Sequence, residues 1–400
     1  MKYVIVLGDG MADYPIDEID GKTPLEYAET PVMDELAEKS EIGLVHTIPV
    51  GMKPGSDTAN LSVMGYDPKK YYTGRSPLEA LSIGVPMKET DIAIRCNIVT
   101  VSDEEKDYRQ KKIIDHSAGE ISTEEADQLV QAAQKAFGNE MFQFYTGTSY
   151  RHLLIWDKGD VAELTPPHDI LTKTIGSYLP KEKLLAEMME KSYDILNGHP
   201  VNVAREKKGL NKANSLWFWG AGTKPGLSDF EKETGKKGVM ISAVDLLKGI
   251  AVGAGLTNII VEGADGTLET NYEGKAQAAV KALTRDGYDF AYIHVEAPDE
   301  MGHQGSLERK IQSIEYLDQR VIRLVKEGMD ASGEDYRILV MPDHPTPISL
   351  RTHTSDPVPF MLYDSTKKKA SHLWLYNEKD AAASGVDIPS GTALMEHFLS

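Results

Sequence analysis

Three aspartates and three histidines of this 400-residue chain fall where strand-like runs stop. Asp9 follows YVIVLG. Asp299 and His303 follow FAYIHVEAP in the spacing D-x-x-x-H. Asp343 and His344 follow RILVMP, and His353 comes nine residues later in RTHTSDP. Taken singly, each has a bland reading as a helix cap or a water-facing loop pair. Taken together, carboxylate and imidazole donors at the carboxyl ends of strands in one sheet suit Mn²⁺, Zn²⁺ or Co²⁺, and Mg²⁺ less readily. Six side chains exceed the needs of one four-coordinate centre. Two ions roughly 4 Å apart, of the kind that clamps phosphoryl groups, would account for the surplus.

The stretch KPGSDTANLSV, residues 53–63, adds a hydroxyl. Ser56 after Pro54-Gly55 reads either as a helix N-cap or as a nucleophile placed where helix N–H groups favour an arriving anion. A serine hydroxyl is a weak nucleophile at neutral pH, and metal coordination makes its alkoxide accessible without a dedicated base. With the acid–imidazole set in view, the nucleophile reading is preferred. Competing motifs are incomplete. Gly21-Lys22-Thr23 has Ile16 where a phosphate-cradling loop needs its first glycine. Ser56 lacks the G-x-S-x-G elbow. Gly253-Ala254-Gly255 lacks a third glycine and precedes a strand-like run.

These residues need a scaffold that brings strand ends together. YVIVL is a short β-branched run of the kind buried on both faces. Helical and strand-like segments alternate around it: PLEYAETPVMDELAEKS, broken near Pro31, then IGLVHTI, a helix from Leu61 and another near Pro77. From about Asp91 the texture changes. IAIRCNIVTV reads as a strand, VSDEEKDYRQKK as a charged hairpin, and ISTEEADQLVQAAQKAF as a helix with a capping box from Ser122 to Glu125. RHLLIW is another strand and LTPPHDI a Pro-rich loop of what reads as a small α+β lobe, and the strand-like SLWFWG at 215–220 marks its end. The doubly wound rhythm then returns with AVDLLKGIAVGAG as a helix, NIIVEG as a strand, GKAQAAVKAL as a helix and FAYIHVEAP as a strand. Next comes an amphipathic helix carrying Leu307, Ile311, Ile314, Leu317, Val321 and Leu324, and then the strands RILVMP and PVPFMLY. The expectation is an α/β protein: a doubly wound, mostly parallel sheet formed by 1–88 and 215–400, with 89–214 inserted as a smaller α+β domain. Ligands bind beyond the carboxyl ends of such strands.

Length and composition agree. Four hundred residues exceed one ordinary core. Hydrophobic and charged shares of 41% and 26% are those of a soluble globular chain. A formal net charge of −19 argues against general nucleic-acid or acidic-membrane binding, while a local arginine cluster still permits a small anionic substrate. Cys96 is the single cysteine, so no intrachain disulfide framework exists. The apolar opening is too short for a signal peptide or a membrane span, and a cytoplasmic enzyme is expected.

At these residues the chain resembles the alkaline phosphatase superfamily and, within it, the archaeal-type cofactor-independent phosphoglycerate mutases. The resemblance is carried in order, almost end to end, by GDGMAD, KPGSDTANLSVMGYDP, TGRSPLEA, DHSAGEI, PPHDI, SLWFWGAG, APDEMGH, PDHPTP and RTHTSDPVPF. It implies an alkaline-phosphatase-like fold with two divalent ions, Mn²⁺ or Zn²⁺ first and Co²⁺ or Mg²⁺ next. Asp299, His303 and His353 would hold one ion, and Asp9, Ser56, Asp343 and His344 the other. Ser56 would take the phosphate of 3-phosphoglycerate, and the 2-hydroxyl of the bound glycerate would take it back, with no 2,3-bisphosphoglycerate required. The resemblance further implies His116 as a catalytic residue. Arg75, Arg95, Arg151 and Lys248 are expected to bind the small phosphorylated carboxylate, with His168 and Asp169 behind them. The insertion is expected to keep water from the phosphoserine. MPDHPTP, with Met341 and Pro345, departs from the family's T-A-D-H-S-T-P form. The resemblance also implies an alternative, a homoserine kinase of the same branch using ATP with the same metals and Ser56. A sulfatase lacks its C-x-P-x-R or S-x-P-x-R sequence around Ser56. A simple phosphatase and a metal-stabilised scaffold are the remaining readings, and the scaffold should not need Ser56. Self-association is left open.

Overall fold

The β-branched opening run becomes the strand Lys2–Gly8, buried over almost its whole length. It is hydrogen-bonded on both sides, in parallel, by Phe290–Val295 and Tyr336–Met341. A strand buried on both faces, as in a parallel sheet covered by helices on each side, is apolar on both, so its sequence does not alternate. The computed structural model describes residues 1–367 and 372–400. They form two compact units, Met1–Tyr72 with Gly226–Ser400, and Thr73–Pro225. Among the described residues, no helix is long and apolar enough to cross a membrane.

The first unit holds an eight-stranded sheet in the order Asp387–Ile388, Ser40–Val45, Val358–Asp364, Tyr336–Met341, Lys2–Gly8, Phe290–Val295, Gly238–Ile241, Thr257–Asn258. Val358–Asp364 runs against both of its neighbours, and the other described pairings are parallel. The doubly wound, mostly parallel architecture expected from sequence is therefore present. The reversed strand matters for function. Its first residue, Val358, pairs with Val45 at the carboxyl end of Ser40–Val45. Residues that precede Val358 therefore arrive at the edge where the parallel strands end.

The amphipathic run after Gly305 is helical from Leu307 to Ser332, with a π-helical stretch at Leu317–Ile322. Ile314, Leu317 and Val321 pack there with Val4, Val6 and Val340 of the sheet. Asp318, inside the π-helical stretch, accepts hydrogen bonds from the Val32 and Met33 N–H groups at 3.2 and 2.7 Å. It thereby caps the Pro31–Ala37 helix from another element. The expected strand NIIVEG shrinks to Thr257–Asn258. At the sheet edge its one partner, Gly238–Ile241, is four residues long, and Ile260 turns out to solvent at 73% exposure.

In the second unit Asp91–Val101 is central, paired antiparallel with Arg151–Asp157 on one side and Ser215–Thr223 on the other. Phe142–Thr148 and Ile113–Asp115 complete the sheet. The Thr123–Phe137 helix starts as the capping box predicts, with Ser122 Oγ accepting from the Glu125 N–H at 3.2 Å. Ile94, Ile98, Leu129, Leu154, Met189 and Trp217 share the core. The expected boundaries at 89 and 214 move outward to 73 and 225. SLWFWG and the residues after it are a sheet strand of this unit, with Trp217 in register with Asn97. The Arg75–Ser82 helix also belongs to it.

Candidate active site

Asp9 is the first residue beyond Lys2–Gly8, and its N–H donates to Val295 O at 2.9 Å, which locks it to the end of the neighbouring strand. Asp343 and His344 sit just past Tyr336–Met341 and are fully buried. The Asp343 carboxylate is held by three donors: Gly10 N–H at 3.1 Å, His344 N–H at 2.9 Å and Asn60 Nδ2 at 2.9 Å. Asn60 is in turn oriented by Tyr292, whose hydroxyl donates to Asn60 Oδ1 at 2.6 Å. Gly10 is required at its position. Its φ is +60°, and a Cβ there would lie 2.6 Å from Asp299 Oδ1.

Ser56 opens the helix Ser56–Val63, whose N-cap position belongs to Gly55. The side chain does not cap. Its Oγ lies 3.1 Å from His344 Nε2 and 3.4 Å from Asp9 Oδ2. Of the two readings open in the sequence, the geometry matches a hydroxyl aimed at the acid–imidazole set.

Asp299 and His303 share the helix Ala297–Gln304, one turn apart, so both side chains meet on one face. His303 Nε2 is 3.2 Å from Asp299 Oδ2, and His353 Nε2 is 3.4 Å from Asp299 Oδ1. His353 reaches this edge because it precedes the reversed strand. The two imidazole Nε2 atoms stand 2.9 Å apart. The candidate ligand atoms form two groups, Asp9 with Asp343 and His344, and Asp299 with His344 and His353, the atoms of each within 4.8 Å of one another. His344 belongs to both.

The buried carboxylates and imidazoles perturb one another strongly. Burial, then the neighbouring Asp343 and Asp299, raise the Asp9 carboxyl well above its usual range. Burial pushes His344 down. Burial also opposes ionisation of Asp299, yet hydrogen bonds to His303 and His353 hold it well below the ordinary value. The same contact lifts His303 to about 9. Asp9 Oδ1 is buried without a hydrogen-bond partner. An orphaned carboxylate oxygen and two imidazole nitrogens turned toward each other are donors awaiting an acceptor, and hard-to-borderline divalent ions fit that set.

Comparison with known proteins decides the family. A family model described as 2,3-bisphosphoglycerate-independent phosphoglycerate mutase matches residues 37–202. A relative from Methanosarcina acetivorans, named 2,3-bisphosphoglycerate-independent phosphoglycerate mutase, is 49% identical over 99% of this chain and 98% of its own. The chain belongs to the 2,3-bisphosphoglycerate-independent phosphoglycerate mutase family. Two solved structures share its fold. A Pyrococcus horikoshii protein has TM-score 0.81 and 30% identity, covering 100% of this chain and 97% of its own. A cofactor-independent phosphoglycerate mutase from Thermoplasma acidophilum has TM-score 0.68 and 26% identity, covering 100% and 99%.

The remaining candidate residues are distributed over both units. In the second, the Arg95 guanidinium is buried, lies over the Trp219 ring at 4.7 Å, and pairs with Glu79 at 3.3 Å. Arg75 pairs with the same carboxylate at 3.0 Å. Burial lowers Arg95, Glu79 opposes that, and Arg75 and Arg151 add to it, so three guanidinium groups share one neighbourhood. His116 packs edge-on against Tyr150 and His168, and His168 against Trp219. Asp169 is exposed, 3.8 Å from His168. Lys248 belongs to the first unit, on the Asp245–Gly253 helix, with its ammonium 3.3 Å from Asp245. Sequence reasoning missed Asn60, Trp219, His294, which lies against Asp9, and Thr346, whose hydroxyl donates to Asp299 Oδ1. The available signal was a polar residue inside an apolar run: Asn60 in TANLSV and His294 in AYIHV.

Proposed function

We propose that this chain interconverts 3-phosphoglycerate and 2-phosphoglycerate through a phosphoserine on Ser56, without 2,3-bisphosphoglycerate and with two divalent cations as resident cofactor. The observation that carries the reading is the position of Ser56 Oγ, 3.1 Å from His344 Nε2 and 3.4 Å from Asp9 Oδ2 at a helix N-terminus, in a member of this family. Asp9, Ser56, Asp343 and His344 would hold one ion, and Asp299, His303 and His353 the other. Bound there, Mn²⁺ or Zn²⁺ would acidify the serine hydroxyl and oppose the charge on the phosphoryl oxygens.

The chain's own groups perform the transfer. Ser56 gives up its hydroxyl proton to solvent, and its Oγ bonds to phosphorus as the bond from phosphorus to the 3-oxygen of glycerate breaks; the departing oxygen takes up a proton, for which His116 is the proposed source. The N–H groups of the first helical turn favour the phosphate. The glycerate turns, its 2-hydroxyl gives its proton to the now deprotonated His116 and attacks the phosphoserine, the bond from phosphorus to Ser56 Oγ breaks, and Ser56 recovers its hydroxyl with a proton from solvent. Arg75, Arg95 and Arg151 are proposed to take the carboxylate and phosphate in forked geometry, with His168, Asp169 and Lys248 as further contacts. A cytoplasmic setting accords with such a substrate.

The test is phosphorus NMR on Mn²⁺-loaded protein given 3-phosphoglycerate alone, with Ser56→Ala as control. A 2-phosphoglycerate signal absent from the control supports the proposal. Inorganic phosphate alone points to a hydrolase. No turnover by protein that demonstrably carries its metals overturns the mutase reading, and ATP with homoserine is then the substrate pair to supply.

A further inference from the structure

His294 is buried in the strand Phe290–Val295 and takes no part in the transfer described above, yet it touches Asp9. Its Nε2 lies 2.9 Å from Asp9 Oδ2, and its Nδ1 lies 3.2 Å from Ser242 Oγ. The Val244 N–H donates to the same Ser242 Oγ at 3.0 Å. The carboxylate at the other end fixes the direction. An Asp9 carboxylate that ligates a cation is ionised and can only accept, so the ring nitrogen facing it must donate, and in the neutral ring Nδ1 is left to accept from the Ser242 hydroxyl. Nδ1 is then unprotonated, Nε2 carries the hydrogen, and Nε2–H donates to Asp9 Oδ2. The backbone of His294 is held as well, its carbonyl accepting from the buried Lys275 ammonium at 2.9 Å.

We infer that Val244 N–H, Ser242 and His294 form a relay of fixed polarity that sets which oxygen of Asp9 faces the cation. His294 occupies Oδ2 and leaves Oδ1, the oxygen without a hydrogen-bond partner, as the ligand atom. His294 is a positioning residue in this scheme, and it rests on the metal reading proposed above. Asp9 directly follows the strand Lys2–Gly8 and His294 lies on the adjacent parallel strand, Leu7 in register with His294, so the brace comes from the sheet and the first residue past its strand end. Groups that orient a metal ligand commonly change metal affinity by about 10- to 100-fold when removed.

The experiment titrates Mn²⁺ into metal-stripped protein by calorimetry, and reads the His294 ring nitrogens of the metal-free protein by ¹⁵N NMR. His294→Leu is expected to weaken one Mn²⁺ site by about 10- to 100-fold, while His294→Gln, which keeps an N–H donor toward Asp9, recovers most of the loss. Ser242→Ala is expected to weaken the same site less, because the tautomer is no longer imposed. Circular dichroism establishes that each variant is folded. Equal Mn²⁺ affinity in His294→Leu and wild type overturns the inference, as does a proton on Nδ1 in place of Nε2. Wild-type protein that binds no Mn²⁺ refutes the metal reading and with it the role assigned to the relay, whereas a bound ion with an indifferent His294→Leu refutes the relay alone.

Discussion

His152 should make the second unit sensitive to mild acid. Its Nδ1 accepts from the Gly147 N–H at 3.1 Å, while its Nε2 is buried with no partner, on a strand position in register with Cys96. Burial pushes the imidazole down to about 4, with Asp127 pulling the other way. In the unfolded chain a histidine titrates near 6.5. As pH falls, the unfolded state takes up the proton first, so the contribution is complete above about pH 6.5 and is lost as pH falls toward 4. At about 1.4 kcal/mol per pH unit, the whole gap is worth about 3 kcal/mol, of which about 2.5 is gone by pH 4.5. The perturbation is His152→Asn, whose side-chain oxygen still accepts from Gly147. The assay is urea unfolding followed by tryptophan fluorescence from about pH 7.5 to about pH 4.5. Trp156, Trp217 and Trp219 lie in this unit and only Trp374 outside it, so the signal reports chiefly here. The wild type should lose about 2.5 kcal/mol more than the variant across that range. Parallel stability curves would refute the reasoning, because groups other than His152 are common to both proteins.

Two further perturbations test the frame of the site. Gly10→Ala places a Cβ 2.4 Å from Thr346 Oγ1 and 2.8 Å from Asp299 Cα at a φ of +60°. It should cost roughly 1–3 kcal/mol of stability and lower the amount of Mn²⁺ retained on gel filtration; full metal retention would show that the loops can part without harm. Lys310 is fully buried and ties Asp13 Oδ2 at 2.8 Å, Thr346 O at 2.8 Å and Ala12 O at 3.3 Å. Lys310→Met should therefore destabilise by about 3–5 kcal/mol in urea unfolding, and adding Asp13→Asn should recover part of that loss. A double variant no better than the single one would show that the carbonyl contacts matter more than the ion pair.

Much of the site could be read from the chain because strand ends announce themselves locally. A continuous apolar run that stops at Gly-Asp-Gly, or at Pro-Asp-His, says both that a strand is buried and where it ends. Those stops, together with the Pro-Gly turn before Ser56, are enough to gather Asp9, Ser56, Asp299, His303, Asp343 and His344 into one neighbourhood. The inserted lobe announced itself through a change of texture, although its limits did not. Strand 215–223 is apolar like the core strands of the larger sheet, and only its pairing with Asp91–Val101 assigns it to the second unit.

What the tertiary structure alone decided is which partners these groups meet. The reversed direction of Val358–Asp364 is not written in PVPFMLY, yet it carries the preceding His353 to the edge where the parallel strands end. Asn60 and His294 read as misfit polar residues in apolar segments. Their meaning comes from Tyr292, 232 residues from Asn60, and from Asp9, 285 residues from His294. Local sequence carries backbone preference and hydrophobic period, which act over a few residues. Hydrogen-bond partners inside a core are set by strand order and direction, a property of the assembled sheet that no short segment holds.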